Sequence, residues 1–134
     1  MRTIIAGSRD GIAYGDVLFA LEEAARVAGI KPTLVISGTA RGTDRLGEFW
    51  AGRVGVPVRR MPADWKTHGP ALAGRLRNEQ MAEVAEALVA VWNGRSSGTA
   101  HMIDTAVKRG LRIYVHRVDV GRLQYVSGRK GEAR

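Results

Sequence analysis

The sequence contains no cysteine. That excludes disulfides, a thiolate nucleophile and the usual thiolate-held zinc sites. Aromatic residues make up only 6% of the chain, which leaves few platforms for stacking single-stranded nucleic acid. No apolar run approaches the roughly 20 residues of a membrane span, and the stretch from Met1 to Ala6 lacks the long apolar core of a secretion signal. A cytoplasmic protein with no membrane partner is expected. Several chemical signatures are missing too. The first apolar run is not followed by G-x-G-x-x-G, and no glycine loop ends in Gly-Lys-Ser/Thr, so P-loop ATP hydrolysis is not expected. His68, His101 and His116 are scattered and form no H-E-x-x-H pair, so neither a metal nor a cofactor is expected. His101 falls in the first turn of a helical pattern, where it either touches a ligand or, the more common case, faces solvent.

What is present fits one globular domain. The chain has 134 residues, of which 45% are apolar and 25% charged, the mix of an ordinary folded protein. Its 17 glycines fall mostly at the ends of apolar runs, where they mark tight turns. The net charge is +8, and 17 of the 21 basic residues are arginine. Arginine holds phosphate through bidentate hydrogen bonds, so an anionic partner is in view. The charge is spread along the chain, with four basic and two acidic residues in 118–134. A DNA-binding surface and a merely well-solvated one both account for it.

Short apolar runs alternate with helical patterns. Thr3–Ala6 reads as a buried strand ending at Gly7. Val17, Leu18, Leu21, Ala24, Ala25 and Ala28 mark a helix with Asp16 as its expected N-cap and Gly29 as its stop. Thr33–Ser37 is a second strand. Leu46, Phe49, Trp50 and Val54 make a helical face closed by Gly55. Val56–Met61 is a third strand, and Pro57 suits a strand start or an edge. Residues 62–69 read as a loop, after which Pro70 opens a helix running through Leu72, Leu76, Met81, Val84 and Leu88, weakened at Gly74. Leu88–Trp92 is apolar throughout, as in a central parallel strand. Met102, Ile103, Ala106 and Val107 give a fourth helix, and Arg112–Val118 a fifth strand. The β-α-β-α-β-α-β-α-β order predicts an α/β fold, a doubly wound, mostly parallel five-stranded sheet with helices on both faces. The domain is expected to span 1–118, and 119–134 to be a tail in which Leu123–Val126 can add a short edge strand.

Ligands of open parallel sheets bind beyond the carboxyl ends of the strands. Three turns at that edge share an unusual composition: Gly7, Ser8 and Arg9 after the first strand; Ser37, Gly38, Arg41, Gly42 and Asp44 after the second; Ser97, Gly98 and Thr99 after the fourth. The last two lead straight into helices, whose free N–H groups and partial positive charge favour phosphate. Each turn also has a plainer explanation. Gly38 and Gly42 suit a tight turn, and Thr43, Asp44 or Thr99 suit an N-cap. The turns at the opposite edge, near Gly29, Gly55 and Gly110, lack this hydroxyl and arginine content. Arg77 and Asn78 lie mid-helix beside Leu76 and Met81, and Arg77 either snorkels to water or points into a cleft. Trp65, in the expected loop, either stacks on a base or caps the core.

Gly7-Ser8-Arg9, the run from Ser37 to Asp44, Pro62-Ala63-Asp64-Trp65, Arg77-Asn78-Glu79-x-Met81 and Ser97-Gly98-Thr99 occur in an order that resembles the SLOG superfamily of Rossmann-like nucleotide-binding proteins, and most closely its small YspA-related branch. The resemblance covers about residues 1–117. It implies a Rossmann-like fold and a nucleotide or nucleotide-derived ligand held through phosphate, with nucleic acid a less favoured partner. Relatives assemble as dimers or larger, so a homo-oligomer is implied. More distantly the sequence is similar to the "lonely guy" phosphoribohydrolases, which cleave nucleoside 5′-monophosphates. Arg77 and Met81 match one of their motifs, with Asn78 in place of a lysine, and Gly98 and Thr99 match another. Met102 stands at the position of their glutamate and cannot do acid–base work. Arg77, Glu79 and Asp44 are the remaining catalytic candidates, and Asp104, Glu79 or Asp44 would have to stand in for that glutamate without the family spacing. Other members of the superfamily sense NAD-derived or ADP-ribose-like signals, or bind DNA during its uptake.

Overall fold

Along the central strands, successive residues go to opposite faces of one sheet. Within β1 (Arg2–Gly7), Ile4 and Ala6 join one apolar cluster and Ile5 the other. In β4 (Ala87–Trp92), Leu88 and Ala90 face one side, and Ala87, Val89 and Val91 the other. In β5 (Arg112–Arg117), Ile113 and Val115 are separated from Tyr114 in the same way. Both faces are therefore covered, which explains why β4 and β5 read as continuous apolar runs. A computed structural model describes residues 1–120 and the strand backbone of 124–127.

The remaining elements are α1 (Tyr14–Ala28), β2 (Leu34–Ser37), α2 (Thr43–Val54), β3 (Val58–Arg60), α3 (Trp65–Val84), α4 (Ser97–Lys108) and β6 (Gln124–Ser127). The sheet order is β3-β2-β1-β4-β5-β6. The first five strands run parallel, and β6 pairs antiparallel with β5 through Ile113–Ser127 and His116–Gln124. Val17, Leu21 and Ala24 of α1 and Ala51 of α2 pack on one face. Met81 and Ala82 of α3 and Met102 and Ala106 of α4 pack on the other. The direction of winding reverses between β1 and β4, and a crevice must open there at their carboxyl ends.

The fold is the expected Rossmann-like α/β arrangement, with local differences. Helix α1 starts earlier than expected, with Ala13 as its N-cap. Asp16 sits three residues in, and its carboxylate accepts the Ala13 N–H at 2.8 Å. Strand β3 is only three residues long and forms the sheet edge. Helix α3 begins at Trp65, where a loop was expected, because the Asp64 carboxylate caps it by accepting the Thr67 N–H at 3.2 Å. A break at Gly69 (φ 76°, ψ 170°) sets this first turn apart from the main helix that Pro70 opens. The helical pattern masked the cap because Gly69-Pro70 follows it so closely.

Helix α2 lies close to β1 at Gly47. A Cβ there would sit 2.7 Å from Cγ2 of Ile5, a buried β-branched side chain with nowhere to move. Gly52, on the same helix, faces open space. Replacing glycine by alanine in a helix gains up to about 1 kcal/mol, whereas overpacking a core costs about 1–3 kcal/mol. Gly52→Ala should therefore stabilise the protein slightly. Gly47→Ala should be less stable than Gly52→Ala by about 1–3 kcal/mol, which urea unfolding of the two variants will measure.

Candidate functional site

Ser8, the residue after β1, is fully buried and ties three segments together. Its N–H donates to the Val91 carbonyl at the end of β4 (3.0 Å). Its carbonyl accepts from the N–H of Thr43 (3.2 Å) and from the Thr43 hydroxyl (3.0 Å) at the start of α2. Its own hydroxyl accepts the N–H of Asn93 (2.9 Å). The neighbouring glycines permit this crossing. A Cβ on Gly7 would fall 1.9 Å from the Val91 oxygen, and one on Gly42 would fall within 2.6 Å of the Ser8 and Arg9 backbones. Gly42 also has φ 81°, a conformation that L side chains rarely adopt.

Above this junction lies a cleft of about 690 Å³, within the size range of small-molecule sites. The sequence-derived residues that line it are Gly7, Arg9, Asp44, Trp65, Arg77, Asn78, Ser97, Gly98 and Thr99. Gly38 and Arg41 line an adjoining depression that shares Arg9, Trp65 and Arg77 with the cleft. The other candidates lie elsewhere. Ser8 and Ser37 are buried, and the Ser37 hydroxyl donates to Glu48 at 2.5 Å. Gly42 packs beneath Arg9. Glu79 is exposed and lines neither cavity.

The two helix N-termini differ. At α2 the Thr43 N–H and hydroxyl are bonded to the Ser8 carbonyl, and in the preceding turn the Ala40 N–H donates to the Asp44 carboxylate at 3.1 Å. Gly42, not Thr43 or Asp44, is the N-cap. At α4 the N-cap is Ser96, whose hydroxyl accepts the Thr99 N–H (3.4 Å) and hydroxyl (3.1 Å). Among the described residues, nothing takes up the N–H groups of Ser97 and Gly98. Both residues are exposed on the cleft, and a Cβ on Gly98 would meet nothing within 4 Å. Asn93 builds this turn by accepting the N–H groups of Arg95 (2.8 Å) and Ser96 (2.9 Å) on its side chain.

Arg77 points into the cleft. Its Nη1 donates to the Gly38 carbonyl at 2.5 Å and its Nε to the Asn78 carboxamide at 3.2 Å. Asn78, itself buried, donates from Nδ2 to the Gly98 carbonyl (3.3 Å) and lies 3.1 Å from His101 Nδ1. His101 is therefore half-buried and lines the cleft, not solvent-facing, because α3 and α4 bring Asn78 against it. Arg75, Arg95 and Asn93 also line the cleft, although pattern had not marked them as site residues. The cue for Asn93 was the turn preference of Asn-Gly. Nothing in the periodicity distinguished the two arginines from surface charge. Among the described residues, Arg9, Arg75 and Arg95 enter no ion pair. Arg41 pairs with Asp10 at 3.1 Å on the open surface.

Residues 1–68 match the model of the YspA, cpYpsA-related SLOG family. They make up half of the chain and take in the turns after β1 and β2 and the Pro62–Trp65 segment. The chain belongs to that family. No match was found among curated proteins. Among the described residues there is no group of acidic, histidine or cysteine side chains able to hold a metal ion, and no helix is long and apolar enough to cross a membrane.

Burial pushes the Asp44 carboxyl up to about 6, against the opposing pull of the Ala40 N–H and the Arg77 guanidinium. Burial lowers the pKa of Arg77, and Asp44 counters it. A carboxyl raised from about 4 to about 6 holds its proton more tightly in the folded state. The protein should therefore lose stability as the pH rises from 4 through 6, by about 3 kcal/mol for two pKa units. Asp44→Asn should flatten that slope. Asp64 and Asp119 have lowered pKa values and titrate below this window. Chemical denaturation at pH 4, 5.5 and 7 measures the difference.

Proposed function

We propose that this chain binds a nucleotide or nucleotide-derived ligand through its phosphate at the carboxyl edge of the sheet, for sensing or sequestration. The observation that carries this reading is the open N-terminus of α4 at Ser97 and Gly98, facing a cleft whose arginines Arg9, Arg75 and Arg95 enter no ion pair among the described residues. Unsatisfied N–H groups at a helix start bind phosphate oxygens, and free guanidinium groups add bidentate hydrogen bonds. Membership of the SLOG family is in keeping with such a ligand. Gly98 allows close backbone approach, since the space beside it is open.

Calorimetry against AMP, ADP-ribose, NAD and cyclic nucleotides tests this, and no binding to any of them would overturn it. Gly98→Val should abolish binding while the melting temperature stays near wild type, because its added Cβ meets no protein atom. Arg77→Ala should weaken binding by about 1.5–3 kcal/mol, the scale of lost charged hydrogen bonds. Affinity indifferent to both changes would move the site elsewhere.

A second reading, hydrolysis of the N-glycosidic bond of a nucleoside 5′-monophosphate, is favoured by Asp44. It is a buried carboxyl on the cleft wall whose pKa of about 6 suits acid–base work near neutral pH. Glu79 lies outside the cleft, and Met102 cannot take a proton. In this reading wild-type protein releases free base from a panel of monophosphates, as chromatography would detect, and Asp44→Asn releases none. Unchanged substrate at high protein concentration removes the hydrolase reading and leaves the binding one intact.

A further inference from the structure

Of the three tryptophans, two have evident structural partners. Trp50 is half-buried and packs against the core on the α1 and α2 side. The Trp92 indole N–H donates to the Ser96 carbonyl at 3.1 Å, and Arg117 lies over its ring, 4.9 Å from the centroid. Trp65 is different. It is 45% exposed, and among the described residues its indole N–H has no hydrogen-bond partner. It borders both the main cleft and the adjoining depression. The break at Gly69 detaches its helical turn from the rest of α3, and the indole reaches back over Gly74, whose added Cβ would sit 3.8 Å from it. Pro70, Ala71 and Gly74 continue this side of the cleft with little polar character. Arg77, Asn78 and the α4 N-terminus supply polar donors to the same cleft.

The geometry points to Trp65 as a flat stacking wall for a planar heteroaromatic ring, the base of the ligand whose phosphate lies at α4. This rests on the phosphate-binding reading above. A large ring held at a cleft mouth with its surface still half-open has apolar area left to bury. A planar π-system covers that area without needing hydrogen bonds of fixed direction. The wall selects for the presence of a base and tolerates exchange of one base for another, because every base offers a π-face.

The test compares wild type, Trp65→Phe and Trp65→Ala in calorimetric titrations with AMP, ADP-ribose and ribose 5-phosphate, with thermal melts to verify folding. The last probe carries the phosphate without a base. Trp65→Ala should weaken the adenine-bearing probes about 5- to 150-fold, the range for one stacked base, and leave ribose 5-phosphate unchanged. Trp65→Phe should retain most of the affinity. Tryptophan fluorescence should respond to AMP or ADP-ribose in wild type, and that response should shrink in Trp65→Ala. Equal losses for probes with and without a base, or no loss for any, overturn the stacking role while phosphate binding stands. Failure of every probe to bind wild type removes the phosphate reading and this one with it.

Discussion

The cleft owes its shape to the crossing at Ser8. One residue with no solvent exposure joins the end of β1, the end of β4, the start of α2 and the turn before α4 through four hydrogen bonds. Each such bond contributes only about 1 kcal/mol net. Their geometric effect is larger, because they hold together the segments on either side of the point where the winding reverses. The close approach that makes them possible depends on Gly7 and Gly42, which leave no room for side chains at the junction.

From that junction the two helix N-termini diverge in character. Helix α2 opens with Thr43, whose N–H is taken up by the Ser8 carbonyl, and carries Asp44, whose carboxylate accepts the Ala40 N–H. Helix α4 leaves its first N–H groups facing the cleft. Arg77 sits between the two and spans the cleft floor from Gly38 to Asn78, and Asn78 in turn reaches the Gly98 carbonyl. A buried carboxylate, a partly buried guanidinium and an open set of backbone donors thus lie along one wall system, so charge added or removed at one of them is felt by the others.

Much of the fold was legible because both faces of the sheet are apolar. That gives continuous runs in β4 and β5 and three- and four-residue spacing in the helices. Boundaries were less legible at the helix starts. Ala13 caps α1 although Asp16 looks the better cap, and the Asp64 cap was hidden by the Gly69-Pro70 break. Composition identified the turns that meet at the switch point, but it could not say which way their side chains face. Ser8 and Ser37 looked like donors to a ligand and are spent inside the protein. His101 looked like surface and lines the cleft through its contact with Asn78, 23 positions away. Such pairings depend on how α3 meets α4, which no local pattern carries.

Three of the four bonds at Ser8 use its main-chain atoms. The exposed side chains that line the cleft (Arg9, Arg75, Arg95, Trp65) take no part in that junction. Frame and lining are therefore separable: the lining can be rewritten one residue at a time, changing what the pocket accepts, while the skeleton beneath it keeps its dimensions.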